Sequence, residues 1–324
     1  MRAVICKAYG PPESLVVEEV APLTPGTGQV VICVKACGVN FPDTLIIQGL
    51  YQFKPPLPFS PGAEVAGVVK AVGAGVEHVS PGDRVISIAA YGGFAEEVIA
   101  EAASVIPIPD GLDFDVAASF AMTYGTDLHA LNDRARLQPG ETLLVLGAAG
   151  GIGLAAVELG KLLGARVVAA ASSNEKLAVC RQYGADATIN YVSEDLKERI
   201  KALTNGQGVD VVVDPVGGAY SESALRGMAW NGRFLVIGFT TGDIPRIPLN
   251  LPLLKGCSIV GVFWGSFTVR DPQHNQENLR QLLGWLREGK LKPHFSARYS
   301  LEQAAAALND ITQRRVTGKV VLLV

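Results

Sequence analysis

The sequence predicts an α/β protein in which a doubly wound parallel sheet is inserted into an all-β domain. Three observations lead to this fold class. The first part of the chain carries short β-like runs broken by Pro and Gly, as in a barrel or sandwich. From about residue 123, continuous Val/Ile/Leu runs alternate with amphipathic helices, which indicates parallel strands covered on both faces. The chain closes with a single strand, which cannot stand alone and is expected to return to the first domain.

Length and composition allow two compact domains and exclude several classes of function. Of 324 residues, 48% are hydrophobic and 18% charged, which suffices for sizeable cores. There are 28 Lys and Arg against 31 Asp and Glu, with no basic block, so we expect no nucleic-acid and no membrane partner. The longest uncharged run, residues 142–157, is shorter than the roughly 20 residues of a membrane span.

The N-terminus and the cysteines indicate a cytoplasmic protein. The first residues alternate as in a strand, and Lys7 comes too early for a signal-peptide core. The five cysteines are odd in number and never spaced C-x-x-C, which suits reduced thiols packed as small apolar side chains.

The first domain is predicted to contain four clear strands, at residues 29–35, 64–72, 84–88 and 95–100. Pro81 presets one turn dihedral and Gly82 permits a positive φ, so we expect a tight turn just before the strand that starts at Arg84.

The second domain is predicted to alternate six strands with four helices. The strands span residues 142–146, 166–171, 187–190, 209–214, 233–237 and 257–262, and the helices span residues 152–163, 175–183, 194–204 and 220–230. A tail follows, with helices at residues 277–288 and 301–313 and strands at residues 295–299 and 319–324.

A glycine-rich turn joins the strand at residues 142–146 to the next helix. In the spacing of the dinucleotide-binding fingerprint, Ala148, Gly150 and Gly153 occupy the three glycine places. Gly150 lets the backbone approach a pyrophosphate at the positive helix end, and Gly153 lets helix and strand pack closely. The alternative is a turn that only permits packing. The predicted cofactor contacts here are Ala149, Gly150, Gly151, Ile152 and Gly153.

The end of the next strand favours NADP(H) over NAD(H). An NAD site usually has a carboxylate there for the ribose 2′-hydroxyl, whereas this chain has Ser172, Ser173 and Asn174, followed by Lys176. The hydroxyls and the lysine can bind a 2′-phosphate that no carboxylate repels. Alternatively, Ser172 to Asn174 only cap the following helix.

The remaining motifs carry a family resemblance. They are residues 38–43 (Gly-Val-Asn-Phe-Pro-Asp), 49–51, 61–67 (Pro-Gly-Ala-Glu-Val-Ala-Gly), 81–85, 148–153, 189–191 and 318–319. Over essentially the whole chain, the sequence resembles the zinc-free quinone oxidoreductase branch of the medium-chain dehydrogenase/reductase superfamily. The resemblance implies a GroES-like β-barrel catalytic domain at residues 1–123, a Rossmann NADP(H)-binding domain at 124–266, and a return to the catalytic domain at 267–324.

The resemblance also implies further cofactor contacts. Lys176 and Tyr191 match positions that hold the 2′-phosphate in similar proteins, and Arg315 matches a third cationic contact. Asn40 and Thr123 resemble residues beside the nicotinamide. The loops along the nicotinamide half are expected to include Phe239, Thr240, Phe263, Trp264 and Gly265. The alternative for Phe263 and Trp264 is packing in a core or a dimer interface.

No metal is expected. Zinc-dependent relatives have a cysteine where Asn40 stands, a histidine where Ala63 stands, and a further ligand near residues 120–122, where none is available. The four histidines lack ligand spacing. There is also no G-x-S-x-G elbow and no P-loop, so hydrolase and kinase functions are excluded.

These features predict hydride transfer from C4 of NADPH to a quinone or an α,β-unsaturated carbonyl. Such acceptors delocalise the negative charge and need only hydrogen-bond donors. The candidate donors are the Asn40 amide and the Tyr51 hydroxyl; alternatively, Asn40 ties barrel turns together and Tyr51 only shields the cleft. Similar reductases have a tyrosine at Leu45 and a basic residue at Ile47, so this chain is expected to take a more apolar acceptor.

Two other functions remain open. One is an enoyl-CoA or 2-alkenal reductase of the same fold, and the other is a non-catalytic NADPH-binding protein. The apolar strand at residues 257–262 would lie at a sheet edge, and pairing it with its copy would make a homodimer.

Overall fold

The computed structural model describes residues 1–324 and divides into two compact units. The first comprises Met1–Met122 and Phe295–Val324, and the second comprises Thr123–His294. The chain therefore returns to the first unit at Phe295 and not at residue 267, where we expected it. The intervening segment is held in the second unit by hydrogen bonds, including that from Asn278 to Asp133.

The first unit is built on a seven-stranded sheet and a two-stranded ribbon. The ribbon pairs β1 (Arg2–Ile5) with β2 (Val16–Glu19). The sheet strands are β3 (Gln29–Val39), β4 (Glu64–Val72), β5 (Arg84–Ile88), β6 (Glu97–Glu101), β7 (Val105–Pro107), β14 (Phe295–Ser300) and β15 (Lys319–Leu323). Their order is β14-β15-β3-β4-β5-β7, and β6 also pairs with β3. The helices are α1 (Phe41–Ile46), α2 (Phe114–Ala117) and α11 (Ala304–Thr312).

The central strand β3 runs four residues beyond its predicted end. Its second half is almost entirely buried, and Gly38 is required there because a Cβ atom would lie 2.1 Å from the Ala118 carbonyl oxygen. The late strand β15 pairs antiparallel with β3, Val320 opposite Val39. This pairing supplies the partner that a lone terminal strand requires.

The second unit is a six-stranded parallel sheet with helices between its strands. The strands are β8 (Thr142–Leu146), β9 (Arg166–Ala171), β10 (Ala187–Asn190), β11 (Val209–Asp214), β12 (Met228–Val236) and β13 (Ser258–Gly261). The order β10-β9-β8-β11-β12-β13 is that of a doubly wound sheet, whose direction of winding reverses between β8 and β11. The sheet interior is a continuous apolar core, as the uninterrupted Val/Ile/Leu runs predict.

Eight helices complete the second unit. They are α3 (Ala121–Leu128, whose first two residues belong to the first unit), α4 (Gly151–Leu162), α5 (Asn174–Gln182), α6 (Leu196–Leu203), α7 (Ala219–Arg226), α8 (Asn250–Lys255), α9 (Trp264–Arg270) and α10 (Pro272–Arg287). A short π-helix, His129–Arg134, follows α3. None of these helices, and none in the first unit, combines the length and the apolar character that crossing a bilayer demands.

Candidate active site

The turn between β8 and α4 has the geometry of a phosphate-binding site. Gly147 has a φ of +58°, and Gly150 precedes the helix in an extended conformation. A Cβ atom on Gly153 would lie 2.3 Å from the Gly147 carbonyl oxygen, whereas one on Gly150 would meet nothing closer than 3.4 Å. Gly153 thus permits the close packing of helix and turn, and Gly150 leaves the backbone open. The N–H groups in the first turn of α4 have no carbonyl partner within the helix and favour an anion.

The second predicted group, around the end of β9, is brought together by strand pairing. β10 pairs parallel with β9, Asn190 opposite Ala171, so Tyr191 and Ser172 emerge at the same edge. The Tyr191 ring lies 4.3 Å from that of Tyr220, between ring centres. This edge therefore offers hydroxyl groups and no strand-end carboxylate.

The structure shows the helix cap in the segment after β9 at one residue. Ser173 caps α5: its Oγ accepts a hydrogen bond from the Lys176 backbone N–H at 3.3 Å. Ser172 is exposed and makes no part of that cap. The capping interpretation thus applies to Ser173, whereas Ser172 and the side chain of Lys176 lie outside the cap and remain candidates for contact with a 2′-phosphate.

Arg315 belongs to the first unit and has a partner there. Its Nε donates to Asp310 Oδ1 at 2.7 Å, and the Tyr299 hydroxyl donates to the other oxygen of the same carboxylate. The guanidinium remains about half exposed. A phosphate would have to compete with Asp310 for this cation.

The loops after β11 and β12 pack on each other at the carboxyl edge of the sheet. Asp214 ends β11, and its Oδ1 accepts the N–H groups of Val216 and Gly217 at 2.8 and 2.9 Å. Thr240 donates its N–H to the Pro215 carbonyl oxygen at 3.1 Å. Phe239 lies against Gly217, where a Cβ atom would come within 2.9 Å of its ring. Phe239 and Thr240 are thus held next to the turn that Asp214 organises.

Residues 263–265 form the start of a helix and not the expected loop. Phe263 precedes α9 and is 59% exposed, whereas Trp264 is only 6% exposed. The Trp264 indole donates to Asn275 Oδ1 at 3.1 Å, and its ring packs against Gly125. Trp264 is therefore a core residue, the alternative left open by the sequence, and Phe263 is the side chain available to a ligand or a partner.

A buried polar cluster surrounds Asn40 in the first unit, at one end of β3. Asn40, Asp43, Glu64 and Lys319 are each at most 6% exposed. Lys319 donates to Glu64 Oε2 at 2.9 Å and to Asn40 Oδ1, and Asn40 Nδ2 donates to Glu64 Oε2 at 3.0 Å and to the Gly38 carbonyl oxygen at 3.2 Å. We refer to these four residues as the Lys319 cluster.

The Lys319 cluster changes the role expected of Asn40. The two N–H bonds of its amide have two acceptors inside the unit, Glu64 and Gly38. Donation to a substrate oxyanion would require one of these bonds to break. The geometry favours the alternative interpretation, in which Asn40 ties barrel segments together.

The charges of the cluster interact strongly. Burial raises the pKa of Asp43 to about 7; the Glu64 charge adds to this, and the Asn40 N–H and Lys319 oppose it. The Asn40 backbone N–H donates to Asp43 Oδ2 at 2.7 Å. Glu64 Oε1 accepts the Met122 N–H at 2.8 Å, so the same carboxylate also holds the chain just before Thr123.

Tyr51 is half-buried and packs against the core of the first unit. Burial, and then the negative charge of Asp43, raise the pKa of its phenol, so the hydroxyl stays protonated at neutral pH. It therefore retains the ability to donate. Thr123 begins the second unit and is buried. Ile47 is fully buried in the core, so its apolar character carries no information about the acceptor.

The residues present do not fit a catalytic zinc ion. No group of three or more His, Cys, Asp or Glu side chains is placed to hold a metal. Around Asn40, the Glu64 carboxylate and the amide oxygen are already bound to the Lys319 ammonium. A divalent cation there would meet a fixed positive charge.

Four of these residues, Lys319, Glu64, Asp43 and Asp214, were not predicted from the sequence to be parts of a site. Lys319 and Glu64 appear in recognised motifs, but their meeting depends on pairings of β15 and β4 with β3. Asp214 ends an apolar run, and a carboxylate at a strand's carboxyl end is the signal that could have marked it.

Comparison with known proteins gives the family. Residues 26–110 match the model described as alcohol dehydrogenase GroES-like domain, and residues 151–287 match the one described as zinc-binding dehydrogenase. A quinone oxidoreductase-like protein 2 homolog from Nematostella vectensis is 44% identical over 99% of this chain and 88% of its own length. The chain belongs to the quinone oxidoreductases of the medium-chain dehydrogenase/reductase superfamily.

Other quinone oxidoreductases agree with this assignment. The rat protein is 35% identical, with 100% of this chain and 98% of its own covered. The crystal structure of Escherichia coli quinone oxidoreductase complexed with NADPH superposes with a TM-score of 0.93 at 30% identity, covering 100% of both chains. The predicted family and the predicted fold class, a Rossmann sheet inserted into a GroES-like domain, are confirmed.

Proposed function

We propose that this protein reduces quinones or related α,β-unsaturated carbonyls with NADPH, by hydride transfer and without a metal ion. The proposal rests on the presence of two features together in the second unit. An open helix end at α4 suits a pyrophosphate, and the edge of β9 offers Ser172, Lys176 and Tyr191 in place of a carboxylate. The NADPH complex of the E. coli relative supports the choice of nucleotide.

In this proposal the chain binds and orients the cofactor, and the cofactor carries the chemistry. Bound NADPH supplies a hydride from C4 of its dihydronicotinamide. The backbone of residues 149–153 holds the pyrophosphate. The loop bearing Phe239 and Thr240, the exposed Phe263 and the neighbouring Gly265 serve the nicotinamide half. Asn40 and Thr123 are proposed to flank the nicotinamide, and Arg315 to assist the 2′-phosphate.

Tyr51 is the proposed donor to the developing oxyanion. Its raised pKa keeps the proton on the phenol, so the group can stabilise negative charge without losing its own proton. A saturated alcohol would need stronger polarisation than one phenol supplies, whereas a reduced quinone spreads its charge over the ring.

Steady-state assays of the purified protein test this function. We expect NADPH-dependent reduction of 9,10-phenanthrenequinone and 1,4-benzoquinone, a deuterium isotope effect with NADPH labelled at C4, and full activity after chelation. Crotonyl-CoA and 2-alkenals are tested in the same assays. Faster reduction of these substrates than of the quinones would identify the protein as an enoyl-CoA or 2-alkenal reductase. NADPH binding without turnover of any acceptor would make the protein a binding module, and stoichiometric zinc required for activity would refute the metal-free mechanism.

We also propose a homodimer formed through β13. This edge strand exposes Ile259, and large apolar side chains are exposed on the neighbouring segments of the same unit. They are Trp230, Leu249, Leu253, Leu254 and Val269. An uncovered apolar edge of this kind invites pairing, and a twofold axis would satisfy β13 with its own copy.

Light scattering tests the dimer. The expected mass is about twice the 34.1 kDa of the chain, and Ile259→Lys is expected to reduce it to the single-chain value. Val192→Lys, at an exposed site after β10 on the opposite edge of the sheet, is the matched control and should leave the mass unchanged. A single-chain mass for the unmodified protein would contradict the proposal.

A cytoplasmic location is proposed from the thiols. All five cysteines are free, and burial raises the pKa of Cys6, Cys37, Cys180 and Cys257, which keeps them as unreactive thiols. Cell fractionation would test this location.

A further inference from the structure

Lys319 is a buried cation at the point where three strands of the first unit begin or end. The pairing of Val320 with Val39 brings Lys319 beside Asn40, and the pairing of Gly38 with Glu64 brings the carboxylate to the same end of the sheet. Lys319 is 5% exposed and Glu64 1%. An ammonium is buried at this depth only when acceptors surround it, so the ion pair and the Asn40 amide depend on one another.

The hydrogen-bonding abilities of the three groups allow only one orientation of the Asn40 amide. An ammonium has only donors, so the atom that faces Lys319 must be Oδ1. A carboxylate has only acceptors, so the atom that faces Glu64 must be Nδ2. A flipped amide would place oxygen against oxygen and N–H against N–H. Lys319 and Glu64 therefore act jointly on Asn40, in a closed triangle of hydrogen bonds.

The triangle is continuous with the chain around the proposed nicotinamide contacts. Glu64 uses its other oxygen to hold the Met122 N–H, immediately before Thr123, and Asp43 holds the Asn40 backbone N–H. A change in the ion pair would thus reach both residues proposed to flank the nicotinamide.

We propose that Lys319, together with Glu64, is a positioning residue of the reductase: it locks the Asn40 amide with both N–H bonds inward, so that only its oxygen remains to accept a hydrogen bond. A ligand that contacts this amide would therefore meet a hydrogen-bond acceptor and no free N–H group. This inference rests on the proposed function. It assigns Asn40 the role of acceptor, opposite to the oxyanion donor expected from the sequence.

The test compares Lys319→Met, Glu64→Gln and the double variant. Each single variant leaves a buried charge unpaired, so both are expected to melt at lower temperature and to turn over more slowly. The double variant removes both charges of the pair and leaves Asp43 as the ionisable group of the cluster, so its melting temperature is expected to lie within a few degrees of that of the unmodified protein. Because the glutamine amide introduced by Glu64→Gln can face either end of the Asn40 amide, kcat for the quinone is expected to remain about tenfold low, with KM for NADPH changed much less.

A purely structural ion pair would behave differently. If the double variant recovers both its melting temperature and its kcat, the positioning role is refuted. Lys319→Arg keeps the charge and the donors and should retain kcat within about threefold; a folded Lys319→Arg variant as slow as Lys319→Met would also refute it. The exposed pair of Lys290 and Glu288 provides the matched control, and its double variant should change nothing.

A second readout does not use turnover. In a nitrogen-15 NMR spectrum, the side-chain amide of Asn40, assigned by its loss in Asn40→Asp, should exchange its protons slowly in the unmodified protein and faster in the double variant. If the protein binds NADPH but reduces nothing, the proposed function is wrong. The exchange measurement still shows whether Lys319 and Glu64 fix the orientation of the Asn40 amide. Rapid exchange in the unmodified protein would show that the Asn40 amide is not fixed and would refute the inference.

Discussion

The ammonium of Lys319 and the carboxylate of Glu64 form a buried ion pair, at an Nζ–Oε2 distance of 2.9 Å, although 255 positions separate them in the chain. Removing one partner of such a pair typically costs about 3–5 kcal/mol, because the other charge stays buried and unpaired. The pair lies beside Asn40 and not at the surface. A substitution that breaks it should therefore change both the free energy of unfolding and the position of the Asn40 amide.

Lys176→Ala tests the 2′-phosphate site. Loss of one charge-assisted contact to the phosphate, worth about 1.5–3 kcal/mol, should raise the Kd for NADPH by roughly 10- to 100-fold. The Kd for NADH, which lacks the phosphate, should change by less than about threefold. Isothermal titration with both nucleotides measures this, with Lys197→Ala on α6 as an exposed control. Equal losses for the two nucleotides would remove Lys176 from the site.

Tyr51→Phe tests the oxyanion donor. Deleting the hydroxyl while keeping the ring should lower kcat by about 100-fold, since removing one such donor commonly costs two to three orders of magnitude. Stability should hardly change, because the ring still packs against the core. Tyr9→Phe, an exposed tyrosine of the same unit, serves as the control. A Tyr51→Phe enzyme with unchanged kcat would leave the phenol with a shielding role only.

Asp43→Asn tests the buried carboxyl of the Lys319 cluster. Its folded pKa of about 7 lies above the unfolded value near 3.8, so the folded state holds the proton more tightly. Asp43 therefore makes the free energy of unfolding fall as pH rises from about 4 to 7, by ~4 kcal/mol at most, and adds no slope above that range. Chemical denaturation of the Asp43→Asn variant from pH 5 to 8 should show a shallower decline than that of the unmodified protein.

Asp83→Asn is a matched control for this measurement. Asp83 accepts a backbone N–H from the third residue before it, Ser80, at 2.8 Å, as Asp43 does from Asn40, but on an exposed turn. Its substitution removes the same kind of turn hydrogen bond without removing a buried carboxyl, and so measures the contribution of the turn alone. Parallel pH curves for Asp43→Asn and the unmodified protein would mean that Asp43 is ionised throughout.

Gly153→Ala tests the close packing at the dinucleotide turn. The added methyl would lie 2.3 Å from the Gly147 oxygen and 2.5 Å from the Ala148 Cα atom, so α4 must move. We expect a loss of about 1–3 kcal/mol and weaker NADPH binding. Gly284→Ala, in α10 with no atom within 4 Å of the new methyl, should instead stabilise the protein by about 0.5–1 kcal/mol. Thermal melts that rank the two variants the other way would contradict the packing argument.

Asp127→Ala tests a buried carboxyl that has no partner. Asp127 on α3 is fully buried, neither oxygen has a hydrogen-bond partner, and burial raises its pKa well above the usual range. Removing the group should not lower the free energy of unfolding at pH 8. Any increase should be on the order of 1–3 kcal/mol, the cost of a buried polar group without a partner. Asp133→Ala removes a carboxylate bonded to His129 and Asn278, and should destabilise by a similar amount. A large loss for Asp127→Ala would reveal a partner for the carboxyl.

The second unit could be predicted from the sequence almost strand by strand. β8, β9, β10 and β11 occupy the predicted residues because a parallel strand buried on both faces is an uninterrupted apolar run. β12 begins five residues before its predicted start because helix α7 ends early, at Arg226, before Gly227. The six- and seven-residue helices α1 and α9 are too short to show a helical period, so they were missed.

The candidate site was less predictable where it depends on strand register. The phosphate turn is local in sequence, and its geometry follows from glycines within seven residues. The Lys319 cluster joins β15, β3 and β4, so no local pattern relates its members. For the same reason, the sequence could mark Asn40 as a site residue but could not show that its N–H bonds are already occupied.

The position of β15 between β14 and β3 has a consequence for biosynthesis. The ribosome makes β3 and β4 early, but the strand that separates β3 from β14 emerges only after the entire second unit. Until then, one edge of β3 lacks its neighbour, and Glu64 lacks its counter-charge. The nascent first unit is consequently an incomplete barrel that must wait for a late segment, a delay that the contiguous second unit does not share.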